Sequence, residues 1–301
     1  MEIDCDLTVI VACVEAARSV ERCLRALEEA CIGLRAQIIV ADASRDGTSD
    51  VVRARWPALD VLRFPAGTLV PTLWSAGLRR ARGRAVAFTI GHVVVTQSWA
   101  RALVTGLEDV DGVGGPLVLA DGARIVDWAV FYLRYSAFLP SQLLDGPVTG
   151  EIAGDNAAYA MTALARDASS FSDGFWEVEF HRRLRAEGGT LRATSQATAV
   201  FTAASPFWCI ARHRYAHGRH FGAARVARGS SVLRIVGAAP FVPAVLVWRA
   251  ARRVLRERQH RGRFVLALPL LIALAAAWSA GEARGALSGR SATGLGRADA
   301  A

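Results

Sequence analysis

Through its first 110 residues the chain alternates between short apolar runs of β type and stretches whose apolar positions recur every three or four residues. Residues 7–13 (LTVIVAC) read as a buried strand, and 19–34 as a helix with Val20, Cys23, Leu24, Leu27 and Cys31 on one face. The same alternation gives a strand at 36–42 (AQIIVAD), a helix over about 48–55, a strand at 60–64 and a helix at 71–82. Residues 85–90 (AVAFTI) make a fourth strand, and Ser98 stands where it would cap a helix running to about residue 107. Strand–helix alternation of this kind predicts a parallel α/β sheet with helices on both faces. Ligands of such sheets bind at the carboxyl ends of the strands, so the loops after residues 13, 42 and 90 are the places to search for chemistry.

From 112 to 205 the rhythm changes. VGGPLVL reads as one strand, 127–139 as an aromatic helix, 176–187 as a second helix ending at a Gly-Gly pair, and 190–193 and 197–202 as strands. After Pro206 comes an Arg/His-rich stretch, ARHRYAHGRHFGAARVAR. Two apolar runs follow, at 232–248 and 264–280, the second without any charge. Each is at the low edge of the roughly 17–25 residues that span hydrocarbon. Seven arginines and one glutamate separate them. The runs are either buried helices of a soluble fold or membrane-contacting segments, and the basic flank favours the membrane. The domain boundaries predicted are a core at 1–205 (a nucleotide-binding half at 1–111 and an acceptor half at 112–205), a basic connector at 206–231, membrane-associated helices at 232–290 and a disordered tail at 291–301.

Charge narrows the partners. All 36 basic residues are Arg, against 27 acids, for a net charge of +9; such a chain seeks phosphates, nucleic acid or an acidic membrane surface. No zinc spacing, RNP-like aromatic motif or basic arm is visible, and the arginines gather beside apolar runs, which argues against nucleic acid. The five cysteines show no C-x-x-C spacing and read as reduced thiols rather than a disulfide or zinc framework. The opening MEIDCDL lacks the basic and apolar regions of a secretory signal.

The segment ADASRDGTSDVV (41–52) ends a strand at Asp42, turns through Ser44, Asp46 and Gly47, and begins a helix at Thr48. A carboxylate at a strand end can accept an N–H of a nucleotide base while the amides of the turn face the nucleotide. Asp46 and Thr48 can equally serve only to cap the helix. The segment resembles the nucleotide loop of inverting family 2 glycosyltransferases of the GT-A fold, in their membrane-associated bacterial form, where the usual text is close to D-D-G-S-T-D-G-T. LTVIVACVEAARSVERCLRAL, GLRRARGRAVAF, GDNAAYAMTAL and DGFWEVEFHRRLRAEGGTL resemble further family segments in the same order, so the likeness covers residues 7 to about 203. Glu15 stands where an Asn is usual, Val14 where a Tyr is usual, and Ser75 where an Asn is usual.

The resemblance implies a nucleotide site at Glu15, Asp42, Ser44 and Asp46, an acceptor site at Asp155 and Asn156, and a general base at Glu177. Glu179, two residues on, points away from Glu177 by roughly 160–200° on a helix and is the reserve base. If Asp42 serves only the base, its loss should abolish donor binding and leave folding nearly unchanged. The family's Asp-x-Asp pair, which holds Mg²⁺ or Mn²⁺, is replaced here by Ile90-Gly91-His92. Ile90 cannot ligate, so His92 is the only candidate metal ligand, and imidazole suits Mn²⁺ better than Mg²⁺. His92 can also meet a diphosphate oxygen directly. Arg212 and Arg214 are candidates for sharing the diphosphate charge, or for a collar on anionic headgroups. What the resemblance implies is transfer of a sugar from a nucleotide-sugar to a hydroxyl with inversion. The acceptor class is a lipid-linked glycan or polysaccharide precursor, and the site is the cell membrane with the catalytic core facing the cytoplasm. The competing expectation is a catalytically silent GT-A domain acting as a membrane-bound scaffold.

Overall fold

The computed structural model describes residues 4–202 and 206–289; the tail expected at 291–301 lies outside them. The first half follows the apolar periodicity: β1 (Cys5–Cys13), α1 (Val20–Ala30), β2 (Ala36–Asp42), α2 (Thr48–Arg55), β3 (Asp60–Arg63), α3 (Val70–Leu78) and β4 (Gly83–Ile90). These strands pair in parallel in the order β3-β2-β1-β4. Leu7, Val9, Ile10 and Val11 have no exposed surface, which is why β1 is apolar at consecutive positions rather than alternating: both faces are covered.

Next come β5 (Val93–Val95), α4 (Trp99–Gly106), β6 (Gly112–Gly114), β7 (Leu117–Leu119), α5 (Ile125–Tyr135), β8 (Gly146–Pro147), β9 (Ala157–Ala160), α6 (Met161–Arg166), α7 (Glu177–Ala186), β10 (Leu191–Ala193) and β11 (Ala199–Phe201). The main sheet continues β4-β9-β6-β10-β8, with β9 antiparallel to both of its neighbours, while β5, β11 and β7 form a small second sheet. The sheet is therefore mixed, and parallel only in its first half. VGGPLVL, expected as one strand, is two. A Cβ on Gly115 would fall 1.8 Å from the Ala197 carbonyl oxygen, and Pro116 cannot donate to a ladder, so the chain changes sheets there. Ser98 does not cap α4; its hydroxyl donates to the Gln196 carbonyl at 2.7 Å.

The chain divides into two compact units, the first ending at Ala120 and resuming at Phe138–Thr202, the second comprising Asp121–Ala137 and the chain beyond the first unit. This moves the aromatic helix α5 out of the acceptor half expected at 112–205. Its Tyr132 packs on Phe264 at 5.6 Å between ring centroids, and Arg263 lies 4.6 Å over Trp128. The remaining helices are α8 (Phe207–Ala227), α9 (Val232–Ala238), α10 (Val242–Val254) and α11 (Arg258–Ser288). The expected connector is thus mostly helix. Gly218 and Gly222 of α8 meet Gly281 and Gly285 of α11 so closely that a Cβ on any of the four would stand 2.0 Å from a backbone carbonyl oxygen of the other helix. Arg225 and the buried Glu282 pair across the same contact at 2.6 Å. Among the described residues α11 is the one helix long and apolar enough to cross a membrane; α9 and α10 pass that test only as a pair bent by 63°.

Candidate functional site

The carboxyl ends of β1, β2 and β4 carry the first group of candidate residues. Asp42, the last residue of β2, is 1% exposed. Its Oδ1 accepts the Ser44 N–H at 3.0 Å, and its Oδ2 accepts the Ser49 hydroxyl in a short bond. Asp42 therefore ties the turn together from inside, and a base N–H must use its remaining lone pairs. Asp46 accepts the N–H of Ala17 at 2.9 Å and of Thr48 at 3.2 Å, while the Thr48 hydroxyl accepts the Ala16 N–H at 3.1 Å. The Ser44 hydroxyl accepts the Glu15 N–H at 2.8 Å, and Glu15 Oε1 accepts the Arg45 N–H at 3.1 Å. Two loops from different strands are thereby knitted into one surface. Glu15 sits at φ +52°, a left-handed conformation that non-glycine residues rarely adopt.

At the end of β4, Ile90 is 4% exposed and belongs to the core. Only glycine fits at 91, where a Cβ would lie 2.8 Å from Cys13 Sγ and 2.9 Å from Ala16 Cβ. His92 turns back toward the β1 loop, with Nδ1 3.0 Å from Ser19 Oγ and Nε2 2.9 Å from the Val14 carbonyl oxygen. Both ring nitrogens are engaged in holding that loop, so His92 does not present a lone pair for a metal. Among the described residues no group of three His, Cys, Asp or Glu side chains could hold a metal ion. The residues present thus do not fit the divalent ion that an Asp-x-Asp pair would carry.

Topology brings the acceptor-side residues to the same end of the sheet. β9 runs antiparallel to β4 with Phe88 opposite Ala157, so the 3₁₀ turn Gly154–Asn156 just before β9 lies beside the carboxyl end of β4. Asn156 has no exposed surface. Its Oδ1 accepts the Trp99 indole N–H at 2.6 Å, and its Nδ2 donates to the carbonyls of Pro116 at 3.0 Å and Ala197 at 2.9 Å. With its amide consumed by three segments of the fold, Asn156 fastens the turn and has no surface to offer an acceptor. Asp155, 5% exposed, sits between Asn156 and Gly154.

Glu177 opens α7 and lies against Gly154. Glu179 is paired on the surface with Arg182 at 3.2 Å. One turn beyond Glu177, the fully buried His181 links two further groups that the sequence reading missed. Its Nε2 is 2.7 Å from the Tyr159 hydroxyl, and its Nδ1 makes a short contact with Glu151 Oε2. A carboxylate can only accept, so Nδ1 carries the proton and Nε2 accepts from Tyr159. Burial raises the Glu151 carboxyl, but hydrogen bonds from His181 and Arg185 outweigh it and hold the group below its ordinary value. Burial, then the charges of Glu177 and Glu151, push the Tyr159 phenol well up. The only signal in the sequence was the spacing of His181 four residues after Glu177; the partners 22 and 30 residues upstream carry no local pattern.

Arg212 and Arg214 lie on α8 of the second unit. The Nε atoms of Arg214 and Arg219 are buried without a hydrogen-bond partner, and burial with the neighbouring Arg134 lowers the Arg214 guanidinium to about 10.

Residues 8–166 match the description "Glycosyl transferase family 2". Compared with curated proteins, the sequence has no match. Among solved structures, that of S. aureus TarS 1–349 in complex with UDP-GlcNAc superposes with a TM-score of 0.51 at 14% identity, covering 92% of this chain and 90% of that one. The structure of TarS 1–349 with UDP gives 0.49 at the same identity and coverage. Against the longer TarS structure the TM-score is 0.48 at 13% identity, and the match takes in 69% of this chain and 39% of that chain's length.

Proposed function

Because the chain belongs to glycosyl transferase family 2, we propose that it moves a sugar from a nucleotide-sugar onto a hydroxyl group, with inversion at the anomeric carbon. Glu177 takes the proton of the acceptor hydroxyl as that oxygen bonds to the anomeric carbon. The bond from that carbon to the diphosphate breaks, and the nucleoside diphosphate leaves. The observation that carries this reading is the convergence of Glu177, Asp155 and the Glu15–Ser44–Asp46 loops at the carboxyl end of one sheet. The relative with TM-score 0.51 was crystallised with UDP-GlcNAc, which supports a nucleotide-sugar as the donor class.

Donor binding rests on the loop amides and carboxylates in this reading, with little dependence on Mg²⁺. The acceptor class is a lipid-linked glycan or polysaccharide precursor. The protein works at the cell membrane with its catalytic unit on the cytoplasmic side, where nucleotide-sugars are made. A second reading, a silent GT-A domain that only binds or scaffolds, draws support from the engaged nitrogens of His92 and the buried Ile90. Turnover of a panel of labelled nucleotide-sugars by the full chain, with a membrane lipid extract as acceptor source, separates the two. Glu177→Gln should lower turnover by roughly 10²–10⁴ with donor affinity kept, and EDTA should leave most of the activity. Nucleotide binding without turnover of any donor favours the silent domain.

A further inference from the structure

The long apolar helix α11 is packed along one side by helices that carry charge. Gly281 lies against Tyr215 and Gly285 against Arg219, while Gly218 and Gly222 meet Trp278 and Glu282. The pairings advance together, so α8 accompanies the C-terminal half of α11 in the same direction, with Phe221 beside Trp278 at 5.3 Å. The N-terminal half is met by α5, through Tyr132 on Phe264 and the Tyr132 hydroxyl 3.2 Å from His260 Nδ1. Helix α8 holds four arginines and three histidines in 21 residues, and α5 holds Asp127 and Arg134. At about 1.5 Å per residue α11 is about 46 Å long, enough to cross hydrocarbon. Crossing, however, would carry those companions in with it, where charged side chains are expelled unless they line a polar interior. Two of the arginines already have a buried, unpartnered Nε.

What remains free on α11 is one stripe, including Val265, Leu266 and Ile272, exposed by 63, 64 and 48%. Beside it, Phe241 at the start of α10 and Val245 and Trp248 within it are exposed, spaced four and three apart. Next to these apolar positions stand the seven arginines of residues 249–263, with Glu257 the single acid among them. Arg252 lies 4.8 Å over the Trp248 ring, the pairing of an amphipathic ring and a cation that suits the headgroup level.

We propose that the second unit docks in the plane of an anionic bilayer surface, with the α10 and α11 stripes immersed and the arginines on the phosphates, and that α11 does not cross. The occupant is lipid because the apolar stripes and the arginine band lie side by side, the complementarity that an anionic leaflet presents. This deepens the membrane placement proposed above and does not depend on the sugar chemistry.

Two experiments on the full-length protein test it. Flotation with vesicles containing phosphatidylglycerol should carry the protein, and pure phosphatidylcholine vesicles should carry about tenfold less. The double variant Phe241→Glu, Trp248→Glu should lose flotation while keeping nucleotide binding, which reports that it is folded. Failure to float on anionic vesicles overturns the docking, and equal flotation on both overturns its anionic character. In cells, Gln259→Cys and Ser288→Cys should both resist an impermeant thiol reagent until the membrane is permeabilised. Labelling of one and not the other in intact cells shows that α11 crosses and overturns the in-plane reading. Labelling of both also puts the two ends of α11 on one side, which supports the in-plane reading while overturning the cytoplasmic assignment of the second unit.

Discussion

Gly154 and Glu177 are in contact: a Cβ on residue 154 would stand 3.0 Å from Cγ and 3.1 Å from Cβ of the glutamate. The constraint there is space rather than backbone conformation, and a methyl group at 154 makes the Glu177 side chain give way. The contact limits where the Glu177 side chain can go, against the turn Gly154–Asn156 that carries Asp155. Gly154→Ala should displace the Glu177 side chain by a few tenths of an ångström and reduce kcat by up to about tenfold, with KM for the donor little changed. Steady-state kinetics beside Glu177→Gln are the check. Wild-type kcat in Gly154→Ala would mean that the Glu177 position is not critical.

Asp42 was expected to serve the nucleotide alone. The structure gives it a second task, because its buried carboxylate accepts from Ser44 and Ser49. Asp42→Ala strands both donors, at a cost of about 1–3 kcal/mol for each buried unsatisfied group, so the variant should melt several degrees lower even without donor. Asp42→Asn, which keeps one acceptor oxygen and the shape, should lose less. An apo melting temperature for Asp42→Ala equal to wild type would contradict the hydrogen-bonding role.

The first four strands were legible because their signal is local. Residues 38–41 are apolar at consecutive positions and run into Asp42, and β2 has the bounds 36–42 expected around that run. Helix α8 was not legible as a packing element: its arginines and histidines suggest a basic connector for a diphosphate or for anionic headgroups, and its spaced glycines acquire meaning only once α11 lies against them. Asn156 misled for a related reason. A polar residue in a family-like segment reads as a ligand contact, whereas its three partners are Trp99, Pro116 and Ala197, segments 40 to 57 residues away. The Glu151–His181–Tyr159 chain was missed because each member alone is an ordinary residue for its element.

That chain makes a pH prediction. The Glu151 carboxyl titrates below its ordinary value of 4.5 in the folded protein. A group depressed on folding contributes stability that is present above its unfolded value and is lost as pH falls through the folded one. Thermal unfolding of wild type and Glu151→Gln should therefore differ most above about pH 5 and converge in stronger acid. His181→Phe should shrink the difference to the part that Arg185 carries. A gap that widens toward low pH would reverse the sign and refute the assignment.

The contact between α8 and α11 separates two glycines that sequence alone treats alike. At Gly281 a Cβ would lie 2.0 Å from the Tyr215 carbonyl oxygen, 2.8 Å from its carbon and 3.0 Å from its Cα. Backbone cannot yield as a side chain can, so Gly281→Ala must separate the helices, which loosens the Gly218, Gly222 and Gly285 contacts and the Arg225–Glu282 pair with them. Overpacking of this kind costs about 1–3 kcal/mol. Gly262, near the start of the same helix, has nothing within 4 Å of its would-be Cβ, and Gly262→Ala should be neutral or stabilising by about 0.5–1 kcal/mol through helix propensity. Denaturant unfolding of the two variants in the same detergent, with protease sensitivity of α8 as a second readout, tests the difference. The expected result is a lower midpoint and faster cleavage for Gly281→Ala alone. Equal midpoints would mean that the helices do not approach through these glycines, and the in-plane docking argued from their packing would lose its basis as well.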